Sequence, residues 1–144
     1  MPRMAVRRVA RLVEVLQGVE PGQFYMGAWA RDYGNNRKRK FDSGCGSTAC
    51  AFGHACLDPV LIEQGLSMVM EGPNYEGVRR GTPRYKHWKA LDAAKEFFGL
   101  SHDMATQWFM PSRYRYEDRD NLKLVTSRIK EDLRKERAKR KKAA

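Results

Sequence analysis

The chain has 144 residues, 42% hydrophobic and 31% charged, which suits one compact domain with a real core and excludes a disordered chain. Its 28 Lys and Arg against 17 Asp and Glu leave a net charge of +11, a balance that bears on partners and solubility rather than on fold. No apolar run could span a bilayer, Arg8, Arg11 and Glu14 interrupt any signal-peptide core, and three cysteines do not build a secreted disulfide framework, so a cytoplasmic setting away from membranes is expected.

Val9, Leu12, Val13 and Leu16 fall at i, i+3, i+4 and i+7 and predict an amphipathic opening helix, stopped by Gly18 and Pro21-Gly22. Phe24, Tyr25, Met26 and Trp29 are too bulky and too close together for a solvated loop and read as a segment that plugs the core. Gly34-Asn35-Asn36 turns into Arg37-Lys38-Arg39-Lys40, four consecutive cations expected on an exposed loop. Between Gly44 and Leu57, Ser47 or Thr48 is placed to cap a helix of small residues, one that neighbours can approach closely and that belongs at the centre of the fold. Asp58-Pro59 starts a short helix ended by Gly65, and Gly72, Pro73, Gly77, Gly81 and Pro83 mark residues 67–85 as mostly loop. Trp88, Leu91, Ala94 and Phe98 predict a second long helix closed by Gly99. Ser101 caps a shorter one carrying Met104, Ala105, Trp108 and Phe109, which Pro111 stops. Leu122, Val125, Ile129 and Leu133 give a last helix, beyond which charges continue without an apolar stripe. The fold expected is therefore all-α, a compact bundle of about five helices with irregular connections. It forms one helical domain over 1–133, with a basic tail over 134–144 that has no face to dock and frays in solution.

Phe24-x-Met26-x-x-Trp29, Cys45-Gly46-x-x-Ala49-Cys50-Ala51-x-Gly53-His54-Ala55, Phe97-Phe98-Gly99-Leu100-Ser101 and Phe109-x-Pro111 occur in that order. The series resembles a family of small bacterial and phage proteins of unknown function, marked by a Cys-Gly-Thr-x-x-Cys-x-x-Gly-His-Ala-like box. The resemblance covers roughly 9 to 133 and implies a phage or bacterial accessory protein, with a host-takeover or anti-defence role. The chain departs from the pattern in the extra Ser of Cys45-Gly46-Ser47-Thr48, the basic insertion at 37–40 and the basic tail.

Cys45, Cys50, His54 and Cys56 sit within twelve residues, which raises a metal site or a cysteine nucleophile with His54 as base. The spacing C-x4-C-x3-H-x-C matches no usual zinc pattern. On one helix Cys56 points well away from Cys50, and His54 would stand nearly three turns from the helix start. Small buried cysteines at a tight helix contact account for the segment without metal or cofactor. Residues 94–108 read like a helix-turn-helix, with Ser101, His102, Thr106 and Gln107 turned toward a groove as in a sequence-specific DNA-binding regulator; an ordinary helical hairpin closing the core is the plainer alternative.

The charge itself is patterned. Residues 41–78 hold five acids and no Lys or Arg, whereas 128–144 hold nine basic residues and three acids. Three basic regions flank the acidic segment: Arg37, Lys38, Arg39 and Lys40; Arg79, Arg80, Arg84, Lys86 and Lys89; and Arg134, Lys135, Arg137, Lys139, Arg140, Lys141 and Lys142. Tyr85, Trp88, Tyr114 and Tyr116 interleave with cations as in nucleic-acid stacking platforms. A non-catalytic protein that binds nucleic acid or a nucleoprotein complex through these loops and the tail is the function expected.

Overall fold

The computed structural model describes residues 4–32, 47–75 and 77–143. Six helices are present among them: α1 (Val6–Gln17), α2 (Ala51–Ala55), α3 (Pro59–Glu63), α4 (Ala90–Phe98), α5 (His102–Phe109) and α6 (Leu122–Ala143). Five strands accompany them: β1 (Ala30–Asp32), β2 (Ser47–Ala49), β3 (Leu66–Glu71), β4 (Arg79–Tyr85) and β5 (Trp88–Lys89). The strands form an antiparallel sheet in the order β2-β1-β4-β3, with β5 also paired to β4. This overturns the all-α expectation: the protein is mixed α/β, with one face of the sheet packed on helices.

The segment 67–85, expected as loop, is a β-hairpin. Gly72, Pro73 and Gly77 occupy its turn, while Gly81 and Pro83 stand inside β4. Gly81 is there because a Cβ would lie 2.6 and 2.7 Å from the sulfurs of Met68 and Met70, which fold over it. Pro83 sits between the part of β4 paired to β1 (79–81) and the part paired to β5 (84–85), where the strand has β3 as its one neighbour and a missing N–H is tolerated.

Alternation sorts the sheet into two faces. Leu66, Pro83, Gly81, Ala30 and Ala49 are buried, and Met68, Tyr85 and Trp88 pack against the same core. Trp88 therefore belongs to β5, not to the helix its spacing predicts, and α4 begins at Ala90. Phe52, Phe97, Phe98, Trp108 and Phe109 fill the centre, with rings meeting at 5.0 to 6.1 Å between centroids. These packed, mostly tilted or edge-on rings supply much of the core's apolar burial.

α1 buries Val9, Leu12, Val13 and Leu16, the stripe its spacing predicts, and Phe24 and Met26 are buried as a plugging segment requires. α2 is central and wholly buried, but it is shorter than expected and starts later. Ser47–Ala49 is a strand, and the cap is Cys50, whose Sγ accepts from the Gly53 N–H at 3.4 Å. α5 is capped by Ser101, whose Oγ accepts from Met104 N–H, and Trp108 Nε1 donates to Asp132 of α6 at 2.7 Å. α6 packs on α1, which packs on α2 and α4, so α6 lies across the helical layer from the sheet. Leu133 is its last buried side chain, and the helix continues past it to Ala143. Glu136 pairs with Arg140, and the Arg140 guanidinium donates to the Met4 carbonyl. No helix among the described residues is long and apolar enough to cross a membrane.

Candidate nucleic-acid interface

Among the described residues, the second face of the sheet carries no buried side chain. Strand register lines its residues up in rows: Thr48, Arg31, Arg80 and Glu71; then Thr82 with Val69; then Lys89, Arg84 and Ser67. Arg80, Lys89, Ser67, Val69 and Glu71 are exposed, and Arg31, Arg84, Thr48 and Thr82 are half-buried. An antiparallel sheet with one solvated face commonly shows this polar alternation, but among the described residues its charges are one-sided, four cations to the single carboxylate of Glu71. Arg80 lies directly across from Arg31, and Arg84 directly across from Lys89. The side chains of Arg80, Arg84 and Lys89 make no ion pair or hydrogen bond among the described residues, and Arg84 Nε is enclosed without a partner. At one margin the Arg31 guanidinium lies over the Tyr25 ring at 4.8 Å, a cation–π contact.

Of the residues singled out by sequence, the structure brings Arg80, Arg84 and Lys89 together on this face. Arg79 points to the other face beside Met68 and Met70, and Lys86 occupies the β4–β5 turn with its ammonium 5.2 Å from the Tyr85 ring. Arg37, Lys38, Arg39 and Lys40 fall outside the described residues. The tail cations 134 to 142 lie on α6, away from the sheet, with Arg134 held by Glu131. Arg31 escapes a reading by sequence because β1 has three residues, too few to display alternation, and Tyr25, expected inside the plugging segment, is half-buried beside it.

The interleaved aromatics resolve into structural parts. Tyr114 is buried, donates to the Trp108 carbonyl and lies under Arg128, whose guanidinium is 3.9 Å from its ring centroid. Tyr85 packs edge-on against Phe97 beside Arg8. Tyr116 alone of the four stands well out, 79% exposed with Arg119 over its ring. The stacking platform expected from these residues is thus not where the sequence puts it.

Cys50 and Cys56 are free and buried; burial pushes the Cys50 thiol up to about 11 and the Cys56 thiol well above its ordinary range. Such thiols stay protonated and unreactive at neutral pH. His54 stands one turn from the start of α2, not nearly three, and its Nε2 lies 2.9 Å from the Gln23 carbonyl. Burial holds its imidazole below the ordinary value, in the neutral form. No group of three His, Cys, Asp or Glu among the described residues could hold a metal ion; Cys45 lies outside them. In the α4–Gly99–α5 hairpin, Ser101 is spent on its cap and Thr106 is buried, donating to the Asp103 carbonyl, so Thr106 does not face a groove. Gln107 is half-buried and bonded to Asp103, which leaves His102 as the exposed member of that set.

No protein-family profile matches the chain, and no curated protein or solved structure is similar to it.

Proposed function

We propose that the protein is a non-catalytic nucleic-acid binder that works through the open face of its sheet. The observation that carries this reading is the crowding of unpaired like charges on β4 and β5, Arg84 directly beside Lys89 with Arg80 four residues along the same strand. Like charges directly opposite one another destabilise a sheet, and a phosphate laid between them reverses the sign of that interaction. Arg80 and Arg84 are four residues apart on one strand, about 13 Å. Cations spread over that distance suit a chain of phosphates better than one small anion.

The Thr82 hydroxyl lies between Arg80 and Arg84, those of Thr48 and Ser67 stand at the ends of the two charged rows, and Tyr25 offers a ring at the margin. An open sheet face with cations and an aromatic ring suits an extended single strand, which can lie along it with its bases unstacked. The cations of α6 add attraction that does not depend on sequence. Fluorescence anisotropy with a labelled 20-nucleotide single-stranded RNA tests the reading. The double reversal R80E/K89E changes two exposed side chains, so the melting temperature should hold while affinity falls at least about tenfold. Unchanged affinity in a folded double variant would refute it.

A further inference from the structure

A groove runs along the seam between α1 and α6. Two clefts of about 670 and 510 Å³ share Ser127 and Lys130 and so form one channel. Ala10, Val13, Val19 and Leu122 give it an apolar floor. Lys123, Lys130 and Arg137 stand along its α6 wall at i, i+7 and i+14, a repeat of two helical turns or about 10 Å. All three are exposed and make no ion pair or side-chain hydrogen bond among the described residues. Their neighbours behave differently: Arg134 is held by Glu131 and Arg140 by Glu136. Lys135, Lys139, Lys141 and Lys142 make no ion pair among the described residues either but do not line the clefts, so among the groove-lining cations Lys123, Lys130 and Arg137 are the unpaired ones.

A line of like charges at seven-residue spacing beside an apolar seam is how the flank of a coiled coil selects its partner. The complement is a helix with an apolar stripe and an acid at every seventh residue. We propose that the α1–α6 groove docks such an acidic amphipathic helix from a protein partner. A second copy of this chain does not bring those acids, since the polar side of α1 carries Arg7, Arg8 and Arg11 and α6 is basic. Phosphate is the poorer fit, because it would leave the apolar floor uncovered; the lining carboxylates Glu14, Glu131 and Asp120 are already engaged by Arg11, Arg134 and the Met26 N–H, so the cations are left to set the groove's charge. A docked helix covers the floor and places its own charges on the α6 side.

The test titrates the full chain with a 21-residue designed helix bearing Leu at its a and d positions and Glu at every seventh flanking position. A counterpart with Lys for Glu, and the 20-nucleotide RNA, complete the set of probes. The acidic helix should bind and the basic one should not. K123E/K130E/R137E should weaken the acidic helix at least about tenfold and admit the basic one, as charge complementarity requires. The milder K130Q/R137Q, measured beside it, keeps the result readable if the triple reversal melts early, and should show a smaller loss of the same sign. R80E/K89E on the sheet should leave helix binding unchanged, which separates this groove from the sheet face. No binding of the acidic helix, its displacement by RNA, or a dimer that dissociates in K123E/K130E/R137E would each overturn the proposal.

Discussion

Gly53 offers the sharpest test of how the fold is held. A Cβ on this residue would lie 1.8 Å from the Trp29 carbonyl oxygen and 2.8 Å from the Ala49 Cβ. Ordinary contact needs about 3.5 Å, so Gly53→Ala forces a displacement of well over an ångström. Neither neighbour is the end of a flexible side chain. The Trp29 carbonyl accepts from the Cys50 N–H and leads directly into β1, while Ala49 pairs with Ala30. The strain must therefore move α2 away from the sheet. Helix propensity favours Ala over Gly by about 1 kcal/mol, and overpacking costs typically 1–3 kcal/mol, more when the backbone itself is struck. The steric cost wins, and the variant should lose about 2 kcal/mol or more, a fall of roughly 5–10 °C in Tm. Gly18→Ala is the matched control, because a Cβ there meets nothing closer than 3.6 Å. It should melt within a degree or two of the parent. Thermal unfolding followed by circular dichroism reads both, and a Gly53→Ala protein as stable as the parent would refute the close contact between α2 and β1.

Stability should fall between pH 7.5 and 5.5, because unfolded His54 takes a proton below its ordinary value of 6.5 that the buried, neutral imidazole refuses. His54→Gln should flatten that step in urea unfolding. A second loss should follow at lower pH. Arg11 holds the Asp58 carboxyl below its ordinary 3.8, so that contribution is present above 3.8 and disappears as the folded-state carboxyl protonates. Mass mapping after iodoacetamide at pH 7.5 should find Cys50 and Cys56 unmodified in the native protein and modified after denaturation; native labelling of either would contradict their burial. Ala90 holds a φ of 50° at the start of α4, so Ala90→Gly should raise stability by up to about 1 kcal/mol, and a loss would argue against that backbone conformation.

Helical periodicity is legible wherever a stripe is long enough to repeat. Val9 to Leu16 and Leu122 to Leu133 mark α1 and the anchored part of α6, and Ser101 marks the start of α5. The burial of α2 is legible in its small residues, but its start is not, since Cys50 serves as the cap where Ser47 and Thr48 look better suited. The sheet is hidden for a physical reason. Its strands have two to seven residues, and the longest contains Gly81 and Pro83, which are there for the Met68 and Met70 side chains and a one-sided stretch of β4. Leu66, Met68 and Met70 do alternate, but turn-forming residues on both sides outweigh so short a pattern. The cluster of cations from 79 to 89 is visible as charge. Which of them share a face is not, because that depends on strand register, and Arg31 joins them from nearly fifty residues away.

The salt dependence of binding to single-stranded RNA is the most direct measure of the sheet face. Each phosphate left without its cation should lower the slope of log K against log salt by about 0.7. R80Q/R84Q/K89Q should therefore reduce the slope by about 2 and weaken binding at every salt concentration, with the fold intact. Deleting residues 134–144 should reduce the slope while leaving substantial binding. An unchanged slope in the triple variant, with all binding abolished on deletion of 134–144, would contradict the account and place the polyanion on the C-terminal helix instead.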